Sequence, residues 1–230
     1  VIFIMEDNNI QSYLKDFPLM SCLTENEIKQ ITTFGEVIVY KKNDIIFTAG
    51  EKSTEIFLLL KGVVKITAKS FDNREVIKMI LHPKSVMSEL SLAGEEVRNN
   101  EGTVMTTEAL VLKVKVEFVK KMMLQNPELA MCIVNFIGRK LKYAEERLES
   151  LAMSDARERI VQFLKANAES FGLPIGHETL LKHEFTQQDI ASFTGTSRQT
   201  VTTVLNDLKK SNKIHFKRKA ILIRDVAHLA

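Results

Sequence analysis

The apolar positions change rhythm along the chain. Up to residue 34 they are spaced for helices: Ile28 and Ile31 follow Thr24-Glu25-Asn26-Glu27, in which a threonine and a glutamate three residues on form a capping-box pattern. Between about 36 and 116, short β-branched and aliphatic runs recur: EVIVY, IIFTAG, EIFLLL, VVKIT, VIKMIL, GTVMT and ALVLKV. Turn signals separate them at Lys41-Lys42-Asn43-Asp44, Ala49-Gly50-Glu51, Lys61-Gly62, Phe71-Asp72-Asn73 and His82-Pro83. Many short strands at such spacing predict an antiparallel sandwich or barrel. From about 117 to 155 the period is helical, with Pro127 suited to a first helical turn. Behind it Ala130, Val134, Ile137, Leu141, Ala144, Leu148 and Leu151 alternate spacings of 4 and 3, and Arg139, Lys140, Lys142, Glu145, Glu146, Arg147 and Glu149 occupy the other faces. A narrow apolar seam between charged flanks predicts a coiled-coil partner, here a second copy of the chain. The alternative is a helix lying on its own β-domain.

A new unit begins at Ser154-Asp155. ARERIVQFLKANAES is amphipathic with Ile160, Val161, Phe163 and Leu164 inward. Gly172, Pro174 and Gly176 read as a loop, and HETLLKHEF as a short strand or two. Thr186 with Asp189 three residues on predicts a capped short helix that buries Ile190, Ala191 and Phe193. Gly195 suits a tight turn that needs positive φ, and Ser197 caps a second helix. In that helix Val201, Val204, Leu205 and Leu208 share the inward face, so Arg198, Gln199, Thr202, Thr203 and Asn206 face out. KKSNKIHFKRKAILIRD then reads as a basic two-stranded wing, completing a winged helix-turn-helix.

The outward residues bear on partners. Arg and Gln can make bidentate hydrogen bonds to purine edges in the major groove, and Thr can meet phosphate or the thymine methyl. A helix N-terminus adds partial positive charge. If the unit docked protein instead, its exposed face would be expected to be acidic or apolar.

Charge sharpens this picture. The 230 residues carry a formal +3, but the stretch from Arg157 to the end holds 12 Lys+Arg against 7 Asp+Glu, and the remainder is slightly acidic. A basic C-terminal region on a near-neutral remainder points to a polyanion. With 45% hydrophobic and 27% charged residues the composition is ordinary for a globular protein. No run of apolar residues is long enough to cross a membrane, VIFI is too short for a signal segment, and Met5 is expected to be the natural start, with Val1 to Ile4 an extension. A cytoplasmic location follows as an expectation. Cys22 and Cys132 lack metal-ligand spacing and read as buried reduced thiols, with nothing in the sequence to support a redox role. No metal site is expected. HExxH, P-loop, GxGxxG and Ser/His/Asp arrangements are missing, so the chain does not read as an enzyme. Glu89 with Arg98 reads as a structural salt bridge.

TQQDIASFTGTSRQTVTTVLNDL and NDIIFTAGEKSTEIFLLLKGVVKI, with SELSL and NPELA between them, resemble the Crp/Fnr family of transcription regulators over about residues 10 to 226. The resemblance implies an α+β fold. An N-terminal antiparallel β-roll of the double-stranded β-helix, jelly-roll-like kind would span 1–120 with its lead-in helix, a dimerisation helix 121–153, and a winged helix-turn-helix 154–230. It implies a homodimer on a palindromic operator in double-stranded DNA, with RNA polymerase as a further partner and no membrane association. Base-reading positions match Arg198, Gln199 and Thr203. Backbone-contacting positions match Gln187, Gln188, Ser197 and Thr200, to which the wing adds Lys217, Arg218 and Lys219. The dimer seam would use Val134, Ile137, Leu141, Ala144, Leu148 and Leu151.

Several positions depart from the cAMP-responsive members. Their Gly-Glu-Leu run reads Ser88-Glu89-Leu90 here, and the Arg-Ser pair that holds the cyclic phosphate reads Asn100-Glu101, with Arg98 nearby. A cyclic phosphate needs cationic or hydroxyl donors. The Thr-Ser pair that meets adenine reads Ala144-Glu145. These residues outline the expected effector pocket and speak against cAMP. Two cysteines speak against the four-cysteine iron–sulfur cluster of the oxygen-sensing branch. Haem is left open, although His82, the β-domain's histidine, reads as a solvated turn residue. Gln199 and Thr203 replace an acidic residue and a second arginine, so an operator different from the cAMP-responsive one is expected.

Overall fold

The computed structural model describes residues 7–15, 17–69 and 74–229. The expected extension at Val1 to Ile4, the start at Met5 and the Phe71-Asp72-Asn73 turn lie outside the described residues. Two compact units divide the chain: residues 1–69 with 78–143, and residues 70–77 with 144–230.

The first unit opens with α1 (Asp7–Lys15), a 3-10 helix (Pro18–Cys22) and α2 (Glu25–Phe34). At α2 the capping box forms as predicted: the Thr24 hydroxyl accepts from the Glu27 amide at 3.3 Å, and the Glu27 carboxylate accepts from the Thr24 amide at 2.8 Å. Eight strands follow: β1 (Glu36–Lys41), β2 (Ile45–Phe47), β3 (Glu55–Lys61), β4 (Val64–Lys69), β5 (Glu75–Leu81), β6 (Ser85–Met87), β7 (Glu101–Val104) and β8 (Glu108–Lys115). They form two four-stranded sheets, ordered β1-β8-β3-β6 and β2-β7-β4-β5. The pairings β1–β8, β3–β8, β3–β6, β2–β7 and β4–β7 are antiparallel.

Two separate cores explain why residues 56–60 (IFLLL) and 109–112 (ALVL) are apolar without a break. Side chains alternate across a strand. Ile56, Leu58 and Leu60 of β3, with Leu110, Leu112 and Val114 of β8, join a cluster with Leu14, Leu19, Ile31, Val119 and Ile133 from the helices. Phe57 and Leu59 of β3, with Ala109 and Val111 of β8, join Phe47, Val64, Ile66 and Val104 of the second sheet. These strands therefore bury both faces, and neither can show polar alternation. Gly62 turns β3 into β4 at φ 96, where an added Cβ would stand 2.8 Å from Ala109 Cα.

α3 (Val116–Gln125) ends at Asn126, and α4 (Pro127–Met153) begins beyond it. Asn126 Oδ1 accepts from the Glu128 amide at 3.0 Å, capping α4. In the second unit come α5 (Ala156–Phe171), β9 (Leu173–Ile175), β10 (Glu178–Lys182), α6 (Gln187–Thr194), α7 (Arg198–Lys210), β11 (Ile214–Lys217) and β12 (Ala220–Ile223), with strand order β11-β12-β10-β9. One expectation is corrected here. Residues 173–175 are not loop but the edge strand β9, where Pro174 is tolerated because an edge position need not donate to the sheet. Among the described residues no helix is long and apolar enough to cross a membrane.

Candidate nucleic-acid interface and effector site

The recognition unit is assembled by caps and one arginine clamp. Thr186 accepts from the Asp189 amide at 3.1 Å, and Asp189 accepts from the Thr186 amide at 2.7 Å, so α6 starts on a reciprocal capping box. It stops at Gly195, whose φ of 64 is left-handed. The carbonyls left over at that end are satisfied from α5. Arg159 Nε donates to Thr194 O at 2.8 Å, Nη2 to Gly195 O at 3.4 Å, and Nη1 to Ser154 O at 2.6 Å. Sequence reasoning missed Arg159, which reads as one more charge on the exposed side of an amphipathic helix. Ser197 Oγ accepts from the Thr200 amide at 3.0 Å and fixes the start of α7.

Val201, Val204, Leu205 and Leu208 are buried, as predicted, and this turns the opposite face to solvent. Arg198, Gln199, Thr203 and Asn206 are exposed, and no acid lies in the first turn of α7. Thr202 departs from its expected outward role. It is half-buried, and its hydroxyl donates to Gln187 Oε1 at 2.7 Å. Gln187 is therefore occupied in joining α6 to α7. Gln188 is exposed and donates to Ser192 Oγ at 3.3 Å.

β11 and β12 pair antiparallel from Ile214↔Ile223 to Lys217↔Ala220 and form the wing. Lys217, Arg218 and Lys219 are exposed at its tip. They are not equivalent: Lys219 pairs with Glu184 at 2.7 Å. Lys209 lies over the Phe216 ring at 5.4 Å, placing a further cation where the wing meets α7.

In the β-unit the expected effector residues separate into distinct arrangements. Arg98 is buried, and its donors are engaged: Nε to Ser88 Oγ at 3.0 Å, Nη1 to Lys52 O at 2.7 Å and Nη2 to Glu55 O at 2.8 Å. The Glu51 and Glu55 carboxylates stand 3.8 and 3.6 Å away, and the guanidinium lies over Phe47 and Phe57. Ser88 holds a left-handed backbone, φ 60. Glu89 does not pair with Arg98 as expected; it is buried against Lys140 of α4 at 2.7 Å, a residue that spacing alone assigned to an exposed flank. Leu90 is exposed. Asn100 accepts from Lys78 Nζ, and Glu101 lies 3.8 Å from Lys69. Ala144 and Glu145 are exposed and belong to the second unit. A cleft of about 240 Å³ opens between β5, β6 and α4, lined by Met79, Leu81, Phe136, Arg139, Lys140 and Tyr143 among others.

His82 is half-buried rather than solvated, and burial pushes its ring down to about 4. Cys22 and Cys132 are partly exposed rather than buried. Among the described residues no cluster of three or more His, Cys, Asp or Glu could hold a metal ion. On α4 the predicted seam is open to solvent at Val134, Leu141, Leu148 and Leu151, with Leu148 68% exposed. Ile137 differs: it is half-buried and packs against the β-unit core.

Two family models match the chain. Residues 37–126 match the cyclic nucleotide-binding domain, and residues 158–230 match the Crp-like helix-turn-helix domain. The chain is 26% identical over 203 residues to a CRP-like cAMP-activated global transcriptional regulator of Mycobacterium tuberculosis, covering 88% of this chain and 90% of that one. It is 29% identical over 202 residues to the global nitrogen regulator of a Nostoc species, covering 86% and 91%. Among solved structures it resembles FixK2 from Bradyrhizobium japonicum, with TM-score 0.76, 19% identity and coverage of 85% and 95%. It also resembles a CooA mutant from Carboxydothermus hydrogenoformans, with TM-score 0.76, 23% identity and coverage of 94% and 95%.

Proposed function

The chain belongs to the Crp/Fnr family of transcription regulators, and from that premise we propose that it acts as a homodimer reading a palindromic operator under an effector other than cAMP. One observation carries the DNA reading. Arg198, Gln199 and Thr203 are exposed along one face of α7, beginning at a serine-capped N-terminus free of acid. Arg198 and Gln199 supply planar hydrogen-bonding groups for base edges, and the capped terminus with Lys217 and Arg218 supplies the positive field for phosphates. The exposed face is neither acidic nor apolar, which argues against a protein-docking role.

The dimer reading rests on Val134, Leu141, Leu148 and Leu151, a row of exposed apolar side chains at seam spacing on one helix. Two copies of α7 would then enter successive major grooves, roughly 34 Å apart. The effector reading rests on Arg98. Its donors are already engaged and two carboxylates attend it. A cyclic phosphate there would have to displace these partners and meet the field of Glu51 and Glu55.

The test is selection of binding sites from random duplexes, followed by fluorescence anisotropy on the selected site and a scrambled one across a salt series. A two-fold symmetric consensus bound at least about 10³-fold tighter than the scramble is expected. Equal affinity for both duplexes at every salt concentration would defeat the proposal. Native mass spectrometry of the protein as purified reads its oligomeric state and any retained ligand.

A further inference from the structure

The carbonyl end of α6 is held from two other helices at once. Arg147, whose spacing places it on a charged flank of α4, is half-buried. Its guanidinium lies 4.0 Å from the centre of the Phe193 ring, Nη2 donates to Phe193 O, and Nη1 donates to Ile77 O of β5 at 3.1 Å. Arg159 of α5 takes the next two carbonyls, Thr194 O and Gly195 O, together with Ser154 O just beyond α4. Leu151 of α4 closes on the same turn: a Cβ on Gly195 would stand 3.1 Å from Leu151 Cδ2. Ser150 Oγ donates to Gln162 Oε1 at 2.8 Å and Gln162 Nε2 to Ser154 Oγ at 3.4 Å, bracing the junction of α4 with α5. All of these residues belong to the second unit.

The last carbonyls of a helix have no partner within it, and cations placed there also complement its dipole. Only Thr196 and Ser197 separate Gly195 from the start of α7. Whatever fixes the end of α6 therefore fixes the N-terminus at which Arg198 and Gln199 stand. An arginine suits the place. Its planar fork lies on a ring and donates in two directions, which the compact ammonium of a lysine does not reproduce.

We propose that Arg147 is a positioning residue for base reading: it fixes the direction of α7 with respect to the end of α4, and so the match between the two recognition helices of a dimer, without touching DNA. This rests on the reading of α7 as the base-reading helix and of α4 as the dimer seam. Loss of the hold leaves each α7 its own base contacts and frees the angle between the pair. The loss therefore falls on the palindrome and spares the single half-site.

The test compares the full-length protein with Arg147→Ala and Arg147→Lys, all three checked as dimers by sedimentation. On a duplex carrying one selected half-site they should bind alike. On the full palindrome both variants should bind about 10- to 100-fold more weakly, part of the gain that two linked sites provide. One base pair inserted between the half-sites should weaken the wild type more than either variant, because a loosened α7 tolerates a changed spacing. Hydrogen exchange of the free protein needs no DNA. In both variants it should quicken at the Gly195 and Thr196 amides, which both donate to Ala191 O, and stay unchanged in β11 and β12. A wild type that selects no palindrome defeats the base-reading proposal and positioning for it. A palindrome bound alike by all three proteins defeats the role of Arg147 alone. So would equal losses on half-site and palindrome, unchanged exchange at the turn, or wild-type behaviour of Arg147→Lys. Arg147→Lys decides if Arg147→Ala does not fold.

Discussion

Lys140 Nζ and a Glu89 carboxylate oxygen stand 2.7 Å apart, with the two side chains only 20% and 11% exposed. Lys140 also donates to Val86 O at 3.0 Å, so a single ammonium joins α4 to β6 and to the 3-10 helix (Glu89–Ala93) beyond it. Mutual satisfaction makes such a pair tolerable away from water; removal of one partner strands the other. Lys140→Met should lower stability by about 1–3 kcal/mol, below the figure for a fully buried pair because some solvent reaches it. Lys140→Met with Glu89→Gln should recover much of that loss. Urea midpoints at fixed pH compare the three proteins, and a double variant no more stable than the single one would contradict this account.

Arg198 and Lys217 should separate base reading from phosphate contact. Arg198→Ala should cost about 1–3 kcal/mol on the selected operator and relax preference at one base pair. Lys217→Ala should weaken operator and scramble alike and flatten the slope of log affinity against log salt by about 0.9. Anisotropy titrations at several salt concentrations read both effects. Identical behaviour of the two variants on both duplexes would refute the division of roles.

Lys219 carries a different expectation because Glu184 holds it at 2.7 Å. Its removal should change the salt slope less than removal of Lys217, since its charge is already partly compensated. The same titrations compare the two directly.

Opening of the seam should abolish dimerisation without unfolding either unit. Leu148→Glu places like charges opposite each other in a paired seam and leaves an already exposed position exposed in the monomer. Sedimentation should report a monomer with wild-type far-ultraviolet circular dichroism, and operator affinity should fall at least about 10³-fold as cooperative half-site binding is lost. A dimer that survived would place the interface elsewhere.

Acid should weaken the fold partly through histidine. Burial holds His82 down at about 4 and also lowers His183. An unfolded chain takes up these protons near pH 6.5, while the native state keeps the rings neutral. Their favourable contribution is therefore complete above about pH 6.5 and is lost as the pH falls towards the folded values, for His82 near 4. His82→Gln should flatten the decline in urea midpoint between about pH 6.5 and 4 by the equivalent of roughly 1–2 kcal/mol. A decline as steep as the wild type's would show that this ring does not titrate as described.

Local chemistry determined much of this protein. The capping boxes at Thr24 and Thr186, the left-handed turn at Gly195, the serine cap of α7 and the inward row of Val201, Val204, Leu205 and Leu208 follow from residue types at short spacing. So does the outward placement of Arg198, Gln199 and Thr203, because burial of one helical face fixes the other. The strand runs and the exposed apolar row of Val134, Leu141, Leu148 and Leu151 were legible for the same reason: periods of two and of about three and a half residues are properties of the local backbone.

Tertiary structure decided which distant groups meet. Arg98 went to Glu51 and Glu55, Glu89 to Lys140, Gln187 to Thr202 and Arg159 to the carbonyls of Thr194 and Gly195. Pairings of this kind depend on how strands cross and where a helix lands, and the long-range packing that sets those positions leaves no periodic trace in the chain.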